Sequence, residues 1–421
     1  MRILWLKTEL LHPVDKGGKI RTYHMLKELK RDHEITYLTL DDGTDAQTRE
    51  SAKEYCHELV CVPHHPRQKF TPGFYAELGL NFFSSLPYAI AKYHSPEMRA
   101  RINELTSNKV YDVVVCDFLA PAANVPRDLP CPAVLFQHNV EAVIWKRHYE
   151  VQANPLKKSY LYWQWRKMKA FEGMMCRRFD CVIAVSREDT ELMQREYNVT
   201  SIDDVPTGVD VEFFRPRSSD KGKLRNLVFT GSMDWLPNED AIQYFTTQIM
   251  PLIKNKLPDV TLTVVGRNPY PALLELSQRD SSIFVTGRVE DVRPYMERAA
   301  AYVVPLRIGG GTRLKIFEAM AMEKAIVSTT VGAEGLPVHH EADLLLADTP
   351  EDFAAAVVRV LADQEFADRL GRCSARLVRE QFGWDRVARR FAAICESIPV
   401  TRLSSVDEPQ NKIELVQTHS S

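Results

Sequence analysis

The stretch Ala301 to Thr330, AYVVPLRIGGGTRLKIFEAMAMEKAIVSTT, constrains this chain more than any other. Ala301–Pro305 and Ala325–Thr329 are short apolar runs containing β-branched residues. Between them lie a glycine triplet and one helical stretch, so the order is strand, loop, helix, strand, the signature of a parallel βαβ unit. Gly309, Gly310 and Gly311 let the backbone turn tightly and come close to a ligand, because no Cβ intervenes. Thr312 is a natural N-cap, and Arg313–Met322 is rich in strong helix formers. Free amides and the positive end of a helix dipole at such a start favour a phosphate or diphosphate. The loop lacks the G-x-x-x-x-G-K-[ST] pattern of a P-loop.

On a helix starting there, Leu314, Ile316, Phe317, Met320 and Ala321 share one broad apolar stripe, and Arg313 falls in the middle of it. A guanidinium placed so would reach past the helix end toward whatever the loop holds, since burying it unpaired is costly. Lys315 and Glu318 stand at the stripe's margin. Their spacing suits an i,i+3 surface ion pair as well as it suits a ligand contact.

Beyond this unit, 421 residues exceed one ordinary core and suggest two domains. With 45% hydrophobic and 26% charged residues, the profile is that of a soluble globular protein. A net charge of −2 argues against nucleic acid as a partner. Neither a signal-peptide core nor a run of membrane-spanning length is visible, so the expected location is the cytoplasm. The eight cysteines form no CxxC pair and read as small buried hydrophobes. Cys56, His57, Cys61, His64 and His65 crowd together, but at no standard zinc spacing, and no metal is expected.

The chain starts with a strand at Ile3–Leu6. A loop through Gly17 and Gly18 and a helix over Arg21–Lys30 follow, either a second ligand-facing loop or a plain βα turn. A strand at Ala133–Phe136 delivers His138 at its carboxyl end, where ligands bind in an open parallel sheet. Phe70–Tyr93 is densely aromatic, interrupted by Pro72, Gly73 and Pro87. It suits packing under an insertion, an acceptor groove or a dip toward a membrane. Leu156–Phe179 reads as one helix in which seven Lys and Arg face a single acid, Glu172, with Tyr160, Tyr162, Trp163 and Trp165 interleaved. It is either a membrane-surface helix or a solvated one with its tryptophans turned inward. Pro- and Gly-rich residues 206–223 read as a linker between a domain over 1–205 and a second βα series over 224–382. A closing helix over 383–398 and a polar tail over 399–421, expected to be disordered, complete the chain.

The order of these pieces resembles a family 4 (group 1) glycosyltransferase of the GT-B fold. Its residues are Gly17-Gly18, His138, Val205-Pro206-Thr207-Gly208-Val209-Asp210, Gly231, Val265-Gly266, Gly287-Arg288-Val289 and Glu318-Ala319-Met320-Ala321. The resemblance implies two Rossmann-like doubly wound domains facing a cleft, the second holding a nucleotide sugar and the first a glycan or lipid-linked acceptor. It places Glu318 on the ribose hydroxyls and Gly311 with Thr312 on the diphosphate. Arg288 and Val289 would meet the base, and Gly17 and Gly18 would approach the phosphates from the other domain. His138 would face the transferred sugar. Gly231, Gly266, Gly310 and Lys315 complete the implied donor-binding set. Transfer would retain the anomeric configuration and need no metal or other cofactor.

Two departures stand out. Gly310 occupies the place of the family's first glutamate, and Ser232 and Asn238 occupy those of its basic pair. Arg313, with Lys315, is the expected substitute for the lost charge. Three competing readings remain: a nucleotide-sugar epimerase or hydrolase on this fold, a two-Rossmann dehydrogenase, and a non-catalytic nucleotide-sugar-binding partner. The dehydrogenase would need a G-x-G-x-x-G that Gly17-Gly18 does not supply.

Overall fold

The computed structural model describes residues 1–15, 17–67, 70–152, 154–217, 225–308 and 314–399. Gly309, Gly310, Gly311, Thr312 and Arg313 lie outside them, as do residues 218–223 of the linker and nearly all of the expected tail.

The first sheet contains β1 (Arg2–Lys7), β2 (Glu34–Asp41), β3 (Glu58–Pro63), β4 (Val113–Asp117), β5 (Ala133–Phe136), β6 (Cys181–Ala184) and β7 (Ile202–Asp204). All strands are parallel, in the order β3-β2-β1-β4-β5-β6-β7. The second sheet contains β8 (Asn226–Thr230), β9 (Thr261–Val265), β10 (Ile283–Val285), β11 (Ala301–Val304), β12 (Ala325–Ser328) and β13 (Leu345–Leu346). It is parallel too, in the order β10-β9-β8-β11-β12-β13. Each sheet reverses its winding once, between β1 and β4 and between β8 and β11. A crevice opens at the carboxyl ends of such a switch point.

Strands of this kind are covered on both faces and so read as continuous apolar runs. Along β1, Leu4 and Leu6 enter one core with Met168 and Phe171, whereas Ile3 and Trp5 enter another with Met25 and Leu26. The helices used below are α1 (Gly17–Leu29), α2 (Pro72–Asn81), α3 (Glu141–Val151), α4 (Pro155–Arg178), α5 (Leu314–Ala321) and α6 (Trp384–Ser397). Asn154 caps α4, its side chain accepting from the N–H groups of Leu156 and Lys157 at 3.1 Å each, with Pro155 in the first turn.

The helix α6 packs on the first sheet, not on the domain that precedes it in sequence. Phe391 lies 5.5 Å from Trp5 and 5.1 Å from Phe136 between ring centroids. Two segments therefore cross between the domains side by side, with the Val209 N–H donating to the carbonyl of Phe382 at 2.8 Å.

Three local expectations change. The helix α1 starts at Gly17 and not at Arg21, so Gly17 and Gly18 form its first turn instead of a preceding loop. Tertiary packing of Met25, Leu26 and Leu29 outweighs the low helix propensity of two glycines. The sequence after β8 predicts one helix over Glu239–Ile253, and the structure interrupts it with a π turn at Phe245–Ile249, just before Pro251. The aromatic stretch Phe70–Tyr93 forms α2 and a further short turn, and it does not pack inward as a whole: Phe70, Tyr75, Leu80, Phe82 and Phe83 are exposed.

Candidate active site

At the first switch point, β1 and β4 run in register with Leu6 opposite Cys116, so Lys7 and Asp117 emerge side by side. Both are fully buried. Asp117 Oδ2 accepts from Lys7 Nζ at 2.8 Å, Trp5 Nε1 at 3.0 Å and Thr22 Oγ1 at 2.6 Å. Burial alone would raise the Asp117 carboxyl, but the charges of Lys7 and the contact with His138 hold it well below the ordinary range. Burial dominates at Lys7 and lowers its ammonium pKa, against the pull of Asp117.

His138 lies beyond β5 with its Nε2 2.7 Å from Asp117 Oδ1. The two atoms touch without the alignment of a hydrogen bond, and Nδ1 has no hydrogen-bond partner among the described residues. Burial pushes His138 down to about 3, with Asp117 opposing, so the imidazole is neutral at physiological pH. Its ring stacks on Phe118, centroids 3.8 Å apart. Phe118 holds φ at 72°, a left-handed conformation that costs on the order of 1–3 kcal/mol for such a side chain. Its ring also sets the identity of Gly18, where a Cβ would fall 2.7 Å from Phe118. Gly17 has open space beside it, which leaves the start of α1 approachable.

Glu172 fixes the segment that carries His138. It accepts from Gln137 Nε2 at 3.2 Å, from the N–H groups of Glu141 at 2.8 Å and Ala142 at 3.0 Å, and from Tyr197 Oη at 2.7 Å. The carboxyl thus closes the first turn of α3 from a distance in sequence. Burial pushes it up to about 7, against those four donors.

At the second switch point the arrangement is more open. The backbones after β8 and β9 cross so closely that a Cβ on Gly266 would lie 1.7 Å from the Gly231 carbonyl oxygen, which explains glycine there. Lys315, in the first turn of α5, donates to Asn238 Oδ1 at 2.7 Å, and its Nζ stands 4.2 Å from the Phe229 ring centre. Asn238 Nδ2 in turn donates to the Ser232 carbonyl at 2.8 Å. The ammonium is 3.2 Å from where a Gly231 Cβ would be. Of the two uses the spacing left open for Lys315, the structure shows a half-buried lysine directed at Gly231 and Asn238, with its charge still acting on Glu318. Glu318, one turn further on, is half-buried, and burial pushes its carboxyl up to about 7, with Lys315 opposing.

The structure therefore brings Gly231, Gly266 and Lys315 together at the carboxyl end of the second sheet, with Glu318 one turn further along α5, and places Gly17, Gly18 and His138 at the carboxyl end of the first. Arg288 is exposed after β10, two strands from β8, with Val289 packed against the second core. Gly310, Gly311, Thr312 and Arg313 fall outside the described residues. Lys7, Thr22, Asp117, Phe118 and Glu172 were not among the expected site residues. A charged residue closing each of two apolar strands, Lys7 and Asp117, was the available signal.

Two family models match the chain: Glycosyltransferase Family 4 over residues 16–213 and Glycosyl transferases group 1 over residues 225–363. The chain belongs to this glycosyltransferase family. Its architecture is GT-B: Anabaena HepE, solved in complex with UDP, superimposes with a TM-score of 0.64 at 13% identity, over 94% of this chain and 100% of that one. Among curated relatives, this glycosyltransferase is 25% identical over 262 residues to LpcC, a lipopolysaccharide core biosynthesis mannosyltransferase of Rhizobium leguminosarum bv. viciae. That match covers 58% of this chain and 72% of LpcC. An uncharacterized 44.6 kDa protein in the cps region of Klebsiella pneumoniae is 22% identical over 372 residues, covering 85% of this chain and 90% of the relative.

Proposed function

We propose that this glycosyltransferase moves a sugar, with retention and without a metal ion, from a nucleotide-sugar donor to a glycan or lipid-linked acceptor in cell-surface polysaccharide or glycoconjugate synthesis at the cytoplasmic side. The observation that carries this reading is the placement of Lys315, in the first turn of α5, against Gly231 and Asn238, with Glu318 one turn further along the same helix. A departing nucleoside diphosphate needs its growing charge met by fixed donors. Lys315 supplies an ammonium where Ser232 and Asn238 leave none, and Arg313, adjoining the glycine loop, adds a guanidinium. Glu318 accepts from ribose hydroxyls when ionised, with Arg288 and Val289 toward the base. Across the cleft, Gly17 and Gly18 open the first turn of α1 toward the phosphates. The neutral His138 has an unpartnered Nδ1 to offer a sugar hydroxyl. Among the described residues no group of three or more His, Cys, Asp or Glu side chains is placed to hold a metal. The names of LpcC and of the cps-region relative support the pathway.

Incubation with a panel of GDP- and UDP-sugars, with and without lipid-linked acceptors, tests the reading through nucleotide release and the anomeric configuration of the product. Acceptor-dependent release with a retained anomer in the presence of chelator is the expected result. Release that is independent of acceptor would make the protein a hydrolase. Epimerised nucleotide sugar would make it an epimerase, and tight donor binding without turnover would make it a binding partner.

A further inference from the structure

The C-terminal end of α2 and the first half of α4 form one face although about eighty residues separate them in sequence. The Phe82 ring lies on Trp163, centroids 5.6 Å apart and 19° from parallel. Beneath them Gln164 Nε2 donates to Asn81 Oδ1 at 3.0 Å, and Lys167 Nζ donates to the Asn81 carbonyl at 2.6 Å. These buried polar contacts fasten the two elements together and so fix what faces outward. Phe83 is 89% exposed, Leu156 82% and Leu80 73%. Leu156, Trp163 and Arg166, spaced by seven and three residues, lie along one line of α4. Phe82 and Phe83 also wall a shallow apolar hollow with Leu78, Gly79 and Tyr160.

The charge on α4 is one-sided, and the acid on α2, Glu77, is offset by Arg67 at 3.8 Å. The helix α4 carries seven Lys and Arg residues, and its one acid, Glu172, is buried against α3. Lys169 is offset by Glu196 at 2.8 Å, but Lys157, Lys158 and Arg166 stand at the apolar end. A two-fold contact with a second copy would set this basic patch against itself, cation to cation. An extended apolar layer beneath an anionic surface matches both properties, with aromatic rings at the boundary and lysines toward the headgroups. No helix among the described residues is long and apolar enough to cross a membrane.

We infer that the face formed by α2 and the first half of α4 docks this enzyme onto an anionic phospholipid bilayer. Nine residues along α4 from Trp163, about 14 Å of helix, Glu172 grips Gln137 beside His138. Docking therefore brings the acceptor side of the cleft within reach of a membrane-anchored substrate. That consequence rests on the transfer reading, whereas the docking does not.

Co-sedimentation of the full chain with phosphatidylcholine vesicles, with and without phosphatidylglycerol, measures it without turnover. Binding to the anionic vesicles should be strong at low salt and fall steeply as salt rises. Phe83→Glu and Leu156→Glu, both at exposed positions, should each weaken it by about tenfold or more. Arg166→Glu should weaken it by several-fold, and Val110→Glu, an exposed site elsewhere, should leave it unchanged. No binding to anionic vesicles, equal binding to neutral ones, or binding indifferent to Phe83→Glu and Leu156→Glu would overturn the inference. So would a dimer in light scattering that these variants dissolve, which would assign the face to a second copy. Any of these failures would leave donor cleavage untouched and so would not bear on the proposed reaction.

Discussion

The two switch points use charge differently. At the first, Lys7, Thr22 and Trp5 all donate to Asp117 Oδ2 in full burial, and His138 sits neutral beside them. At the second, Lys315 has a neutral amide and an aromatic face for company, and Glu318 carries a carboxyl poised to ionise near pH 7. A closed ion pair holds shape and can give little to a ligand without breaking. A half-buried cation in the first turn of a helix can respond to an incoming anion more readily than one locked in full burial. The contrast assigns rigidity to the first domain's end of the cleft and electrostatic response to the second's.

The largest expected effect breaks the rigid side. Asp117→Ala leaves Lys7 buried without its counter-charge and should destabilise the protein by about 3–5 kcal/mol. Chemical denaturation would show it as a lowered midpoint with an unchanged slope. A midpoint near wild type would mean that the cluster is wetter than its burial implies.

The next tests the responsive side. Lys315→Ala should lower turnover on the order of 10²-fold with stability close to unchanged, and Lys315→Arg should restore part of it. Near-normal turnover in steady-state kinetics would shift the leaving group's charge to Arg313, whose own alanine variant is then the one to measure.

Glu318→Gln keeps the volume of the side chain and removes its charge. It should weaken donor binding by about 1.5–3 kcal/mol, read by calorimetry. The smallest effect sharpens the comparison through pH. Because burial raises the Glu318 carboxyl to about 7, the accepting form is lost as pH falls through that value. Donor affinity should then fall by up to about tenfold for each pH unit lower, and Glu318→Gln should flatten the profile. A wild-type profile flat from pH 5 to 8 would remove Glu318 from the donor site, and a slope that survives Glu318→Gln would assign it to Glu172, which burial also raises to about 7, since His138 is already neutral there.

How much of this was legible in advance depended on whether a signal is local. The strands were readable because a parallel sheet buried on both faces leaves near-continuous apolar runs, as in Ile3–Leu6 and Tyr302–Val304. Gly231, Gly266 and Glu318 were readable through their order along the chain. The start of α1 was not, because Gly17 and Gly18 are helical only through packing made further along. Lys7 and Asp117 are 110 residues apart, and only the strand order makes them neighbours. Glu172 looked like a stray acid on a basic helix, and its role as a cap for α3 depends on how two helices meet. The outward side of α4 escaped for the same reason: Phe82 decides which way Trp163 faces, and Phe82 belongs to another element.

The placement of α6 also imposes an order of events on synthesis. Phe391, Val387 and Ala388 complete one layer of the first domain's core, yet they leave the ribosome after the whole second domain. At about 5–20 residues per second, the first sheet waits on the order of ten seconds or more with Trp5 and Phe136 lacking their cover. A nascent chain of this protein is therefore most vulnerable to aggregation in its earliest-made part. A premature stop just before Trp384 would strand that domain unfinished while sparing every residue of the second sheet.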